Sequence, residues 1–368
     1  MIFIDLHLNP EEQGKDLNAL LKKYASNIDY VFHLSSAIQP IFVQHGLIPS
    51  KQKIQNCEFI VKNGKPNFFY YLFLFFEIRR LMPDALMLHG FLKPLHLLML
   101  RLILPRRAKL IIQNHADLPL KGHKKYLQQM AAKYIDGFLF VAQEQAKPWI
   151  RQKIITNEKK IFTIMEGSSS FTYVDKRFAK QKIQCKEDIL FLWVGRLDEN
   201  KDPLTVLQGF SKYFQEFPNQ KLLMIHGADN LLKEVKQYIE AHQLQANITI
   251  KANVPHEQMA IYYQAADYFV LASHYEGSGY ALCEAMACGT VPIVTNIPSF
   301  RSMTNDGQLG HLFEPGNSDM LREILLQLNH QKLPLQTKAN LQKFAEDLSF
   351  QAMGRDLSNI LLNLRQVK

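Results

Sequence analysis

The feature that most limits the fold is the alternation, along all 368 residues, of short apolar runs with stretches of helical periodicity. A strand covered by helices on both faces has no polar side, so it reads as a brief unbroken apolar run, and the helices between such runs cover a parallel sheet. Residues 1–6, 30–34, 85–88, 109–113, 137–141 and 161–164 supply one set of candidate strands. Residues 189–194, 221–225, 248–250, 268–271 and 291–294 supply a second. The stretch 172–188 between them is polar, rich in Lys and Gln, and has no strand pattern, which is the character of a linker. The pattern predicts an α/β protein of two doubly wound, Rossmann-like units, and the length agrees, because single cores stop growing at roughly 250–300 residues. Expected bounds are 1–180 for the first domain, 181–345 for the second, and 346–368 for a terminal helical segment broken near Ser349-Phe350.

Composition removes several function classes. A hydrophobic fraction of 47% with 21% charged residues belongs to a globular chain, neither disordered nor fibrous. Cys57, Cys185, Cys283 and Cys288 have no metal-ligand or redox spacing, so no metal site is expected and the thiols are read as reduced. The opening residues carry Asp5 and run into Asn9-Pro10-Glu11-Glu12, with no basic leader and no signal-length apolar core, so the expected location is the cytoplasm. The net charge of +9 sits wholly in residues 1–180, the remainder being net acidic. The first half therefore seeks an anion. Nucleic acid is not expected, since no recognition motif accompanies the basic bias. The apolar run 68–76 falls well short of the roughly 20 residues that span a bilayer. With 95–104 and Arg101, Arg106, Arg107 and Lys109 it reads either as core helix or as a face lying on an anionic membrane, at the inner surface.

Chemistry concentrates in LASHYEGSGYALCEAMACGTVPIVT, residues 271–295. A buried strand ends there in a loop holding Glu276, Gly277, Ser278 and Gly279, and a helix begins near Tyr280. Helix starts carry partial positive charge and glycines admit a ligand to the backbone, so the turn is a candidate phosphate seat. Glu276 and Glu284 flank it with seven residues between them, a separation of about 12 Å at most along a helix. Such a span suits a nucleotide-sugar, with Glu284 accepting from ribose hydroxyls and Glu276 from sugar hydroxyls. A second feature, FLWVGRLDENK at 191–201, ends an apolar strand in Gly195-Arg196 with Lys201 following. Fixed cations of this kind stabilise the charge that grows on a departing diphosphate. No Asp-X-Asp sequence occurs, so side chains and helix amides would take the place of a catalytic Mg or Mn ion.

The order of these elements resembles the retaining glycosyltransferases of the GT-B fold known as group 1 or family 4. The resemblance rests on Gly195-Arg196, Lys201, Glu276, Glu284, Ala285-Met286-Ala287 and Gly289, and runs over residues 189–315. It implies two Rossmann-like domains facing across a cleft, with the final helix crossing back to the first. It implies that Arg196 and Lys201 bind the diphosphate, Glu284 the ribose and Glu276 the transferred sugar, while backbone at Asn253 and Val254 meets the base. The glycine-rich loop that follows the first strand in the family is reduced here to Gly14, and His115, with His89 behind it, stands at strand ends from which the family's first domain reaches its ligands. An aromatic residue is usual at Ser278, and an Asn-Gly is common at Glu166-Gly167.

The implied activity is transfer of a hexose or amino-hexose from a UDP- or GDP-type sugar, with no other cofactor. The acceptor would be a hydroxyl of a glycan or lipid-linked carrier in cell-envelope polysaccharide or glycolipid synthesis, and the configuration would be retained. Two other readings stand beside it: a nucleotide-sugar epimerase or hydrolase on the same fold, and a non-catalytic nucleotide-sugar-binding protein.

Overall fold

A computed structural model describes residues 1–8, 29–45, 49–62, 64–65, 67–187, 189–328 and 334–366. The chain divides into two compact units, one of Met1–Gly167 with Phe350–Lys368, the other of Ser168–Ser349.

The first unit is built on an eight-stranded sheet. Its strands are β1 (Ile2–His7), β2 (Gln39–His45), β3 (Ser50–Ile54), β4 (Cys57–Lys62), β5 (Ala85–His89), β6 (Lys109–Gln113), β7 (Gly137–Phe140) and β8 (Ile161–Thr163). The order is β3-β4-β2-β1-β5-β6-β7-β8, parallel throughout except for β3, which pairs antiparallel with β4. Residues 30–34 do not form the expected strand. Residues 30–33 lie in a 3-10 turn, Asp29–His33, that turns Tyr30 and Val31 inward, and the place beside β1 goes to β2. β3 escapes a search for apolar runs because its residues are largely exposed at the sheet edge.

Helix α1 (Phe68–Arg80) covers part of this sheet with Tyr71, Leu74, Phe75 and Ile78, and is capped by the Asn67 side chain. Helix α2 (Pro94–Ile103) buries Leu97, Leu100 and Ile103. The same two helices leave Phe68, Phe69, Phe73, Leu95 and Leu102 exposed, Phe73 by 70% and Leu102 by 85%. Run 68–76 is therefore core on one stripe and solvent-facing on the other. Among the described residues no helix is long and apolar enough to cross a membrane. The C-terminal helix Phe350–Gln366 also belongs to this unit: Ser358 Oγ accepts from the Ser35 amide at 2.9 Å, and a Cβ on Gly354 would meet the His33 backbone at 2.7 Å.

The second unit has six parallel strands, β9 (Leu190–Gly195), β10 (Lys221–His226), β11 (Ile248–Ala252), β12 (Tyr268–Leu271), β13 (Val291–Thr295) and β14 (His311–Phe313), ordered β11-β10-β9-β12-β13-β14. Every residue of β12 and β13 is buried, as expected for strands covered on both faces. This unit begins before residue 181 because helix α3 (Lys176–Lys182), in the expected linker, is tied into it. Lys176 and Lys180 both reach Asp267, at 3.1 and 2.7 Å.

Candidate active site

The strand order of the second unit reverses between β9 and β12, and ligands of doubly wound sheets bind beyond the carboxyl ends of the strands at such a switch point. Both sequence features fall there. After β9, Arg196 swings outward and pairs with Asp198 at 2.6 Å, while the other Asp198 oxygen accepts the Lys201 amide at 2.9 Å. Burial works against the Asp198 carboxylate, but the Lys201 amide and the Arg196 guanidinium outweigh it and hold its pKa below the usual range. Lys201, unlike the exposed Arg196, is nearly buried and forms an ion pair with Glu276, both side chains being only 12% exposed.

Asn200, which the sequence reading passed over, fastens the two loops together. Its Nδ2 donates to the Tyr275 carbonyl at 2.9 Å, its Oδ1 accepts the Tyr275 amide at 3.1 Å, and its own carbonyl accepts the His274 amide at 2.9 Å. Asp202 caps helix α4 (Pro203–Glu216) through the Thr205 amide and also receives His274 Nε2 at 3.0 Å.

The turn after Glu276 leads into helix α5 (Tyr280–Ala287), whose N-cap is Gly279 at φ 78°. A side chain there would be strained by the left-handed backbone, and its Cβ would lie 2.6 Å from Phe300 Cε1. Gly277 is buried and Ser278 wholly so, which leaves the Ser278 side chain turned into the protein.

Glu284, inside α5, meets His256 Nε2 at 2.6 Å. The hydrogen bond that His256 donates to Glu284 raises the His256 pKa, and the carboxylate charge adds to it, against a smaller opposing effect of burial. His256 opens the helix His256–Ala265 and stacks on Phe171 with ring centroids 5.0 Å apart. Its 28-residue separation from Glu284 leaves no local signal by which sequence could have found it. Asn253 and Val254 follow β11 just before this helix, Asn253 in the left-handed region at φ 52° with its amide donating to the His226 carbonyl. The unit thus brings Lys201 to Glu276 and Glu284 to His256, while Arg196 engages Asp198 and not either glutamate.

His115 and His89 belong to the first unit, and Gly14 lies outside the described residues. His115 has both ring nitrogens engaged, Nδ1 with Glu166 at 2.9 Å and Nε2 with His89 Nδ1 at 2.6 Å. His89 Nε2 in turn meets Asp5 at 2.6 Å, and Tyr30 donates to the other Asp5 oxygen. Burial disfavours the His115 imidazolium, but Glu166, with Asp117 and Asp5, outweighs it and raises the pKa. Burial, with His7 alongside, pushes His89 down to about 3 despite Asp5. Burial would raise Asp5, yet His89 and His7 hold its carboxyl far below the ordinary range.

Residues 175–347 match the sequence profile of a family described as Glycosyl transferases group 1. The O-antigen chain mannosyltransferase B of Escherichia coli is 24% identical over 273 residues, 64% of this chain and 71% of that one. The phosphatidyl-myo-inositol mannosyltransferase of Mycobacterium tuberculosis is 32% identical over 124 residues, which is 33% of this chain and only 32% of that one. Among solved structures, a glycosyltransferase from Rickettsia africae superposes with a TM-score of 0.74 at 17% identity, covering 100% of this chain and 99% of its own.

Proposed function

We propose that this chain, whose residues 175–347 match Glycosyl transferases group 1, is a glycosyltransferase of GT-B fold that moves a hexosyl group from a nucleotide-diphospho-sugar to a hydroxyl of a glycan or lipid-linked acceptor in envelope glycan or glycolipid synthesis. The observation that carries this reading is the Lys201–Glu276 pair at the switch point of the second sheet, with Glu284 held by His256 on the adjoining helix. A mannosyl donor is supported by the two mannosyltransferase relatives.

The donor would lie along this edge, its ribose hydroxyls donating to Glu284 and its diphosphate seated over the Gly277–Gly279 turn. The incoming phosphates compete with Glu276 for Lys201, so binding opens the ion pair. Lys201 then faces the leaving group and Glu276 is freed to accept from sugar hydroxyls. As the anomeric bond breaks, negative charge accumulates on the diphosphate, and a fixed ammonium in a water-poor site stabilises that charge most in the transition state. Arg196 adds to this if its guanidinium leaves Asp198 for phosphate. These cations, with no Asp-X-Asp sequence in the chain, support diphosphate departure without a divalent ion at that position. The resemblance to retaining transferases supports retention of configuration, the acceptor hydroxyl attacking from the face the diphosphate leaves and passing its proton to that diphosphate.

The exposed apolar side chains of α1 and α2, close in sequence to Arg79, Arg80, Arg101, Arg106 and Arg107, support peripheral attachment to an anionic membrane at its inner face. A thermal-shift screen of nucleotides and nucleotide-sugars tests the donor reading directly, because a ligand of the folded state raises apparent stability according to its affinity. A UDP- or GDP-compound should raise the Tm of the wild type, with chelator present, and should not do so in Glu284→Ala. No response to any nucleotide-sugar overturns the proposal.

A further inference from the structure

The first unit has a switch point of its own. Its strand order reverses between β1 and β5, which pair in parallel with Leu6 beside Leu88. Asp5 and His7 are alternate residues of β1 and so project to one face, and His89 closes β5 next to them. Three potential ligand atoms converge: Asp5 Oδ1, His7 Nε2 and His89 Nε2 lie within 4.8 Å of one another. His89 Nε2 is 2.6 Å from Asp5 Oδ1 and His7 Nε2 is 3.1 Å from the same oxygen, with the two rings stacked at 3.7 Å between centroids. Only His89 makes an aligned hydrogen bond; His7 Nε2 is buried at charge-pair distance without one. Two imidazole nitrogens thus face one carboxylate oxygen that satisfies just one of them.

We propose that Asp5, His7 and His89 form a binding site for a first-row divalent transition ion, Zn²⁺ by its donor set. Imidazole is a borderline ligand and carboxylate a hard one, so the two imidazole nitrogens decide the preference. They suit Zn²⁺ and its neighbours in the series, whereas Mg²⁺ and Ca²⁺ take oxygen alone. The surroundings complete the case, because metal-bound histidines donate their other N–H to a partner that fixes the ring. With an ion on His89 Nε2, the ring keeps its proton on Nδ1 and donates it to His115 Nε2. His115 then donates Nδ1–H to Glu166, so that every nitrogen in the chain has one role and no proton is left over. Tyr30 orients the carboxylate by donating to Asp5 Oδ2. Three protein ligands leave a fourth position for water or for an oxygen of a bound substrate. The spacing of cysteines and histidines along the sequence could not reveal this site, because β1 and β5 supply its ligands from opposite sides of a crossover.

The test uses the full chain, stripped with chelator, dialysed and titrated with Zn²⁺ by calorimetry and with Co²⁺ by visible absorption. One ion per chain is expected, with the d–d bands of Co²⁺ in a nitrogen and oxygen site. His7→Phe keeps the ring stack and removes a ligand atom, and should abolish the Co²⁺ bands and weaken Zn²⁺ at least tenfold. His115→Phe leaves the ligands in place and should weaken Zn²⁺ by about 10–100-fold. Circular dichroism checks folding, and His7→Gln replaces His7→Phe if the latter does not fold. Failure of wild type to bind either ion, or binding unchanged in the His7 variant, overturns the proposal. Nucleotide binding is read separately, so a failed nucleotide screen does not bear on this result.

Discussion

Lys201 and Glu276 stand 75 positions apart in the chain and meet as a nearly buried ion pair, because β9 and β12 are neighbours at the point where the sheet reverses its order. Such a pair adds little net stability, since two desolvation penalties oppose one attraction, and removing one partner strands the other. On the proposed function, its value is to hold an ammonium and a carboxylate where a diphosphate and a sugar hydroxyl would replace each with a better partner. Lys201→Ala and Glu276→Ala should each lower turnover by about 2–4 kcal/mol in transition-state stabilisation. Steady-state kinetics at saturating acceptor, beside urea unfolding curves, check this: near-wild-type kcat/KM in both variants would remove the assigned roles.

Asn200→Ala leaves the Tyr275 amide and carbonyl without their side-chain partners. Loss of about 1–3 kcal/mol of stability is expected, together with weaker nucleotide binding, because the loop bearing Lys201 is no longer fastened to the loop bearing Glu276. Chemical denaturation and nucleotide titration of the same preparation separate the two effects.

Gly279→Ala places a Cβ against Phe300 at a left-handed φ of 78°. The cost should be about 1–3 kcal/mol, seen as a lower Tm, and nucleotide affinity should fall with it if the turn seats the diphosphate. A variant as stable as wild type would mean that the turn relaxes freely and is not a rigid seat.

The His256–Glu284 pair gives a signed pH dependence. His256 has a raised pKa in the folded state, so its contribution is complete below the ordinary histidine value of 6.5 and is lost as pH rises through the raised value. His256→Phe, which keeps a ring against Phe171, should be less stable than wild type at acid pH and converge with it at alkaline pH. Urea midpoints across that range measure it, and a constant difference would exclude the pair as the cause.

The central strands were readable because burial on both faces writes them as apolar runs: β5, β6, β12 and β13 lie at or within a residue of where the pattern puts them. The edge of the first sheet was not, since β3 is mostly exposed and β2 carries polar residues at both ends. Tyr30 and Val31 looked like strand for the same reason that they are buried, but they pack inward from a single 3-10 turn. In the candidate site, Lys201, Glu276 and Glu284 could be named because strand end, glycine turn and helix start are consecutive in sequence. Asn200 and His256 act through residues 75 and 28 positions away, and Asp5 with His7 through His89 on another strand. Pairings of that kind are written in strand order and not in local spacing.

The return of Phe350–Gln366 to the first unit sets an order of maturation. A ribosome releases the whole of Ser168–Ser349 before the helix that completes Met1–Gly167 emerges, so the unit whose synthesis starts first is the last to close. Until then the His33 backbone lacks the close approach of Gly354 and Ser35 lacks its partner in Ser358. A stalled or truncated product would therefore carry a finished second unit beside an open first one, exposing a stripe of core to chaperones or proteases.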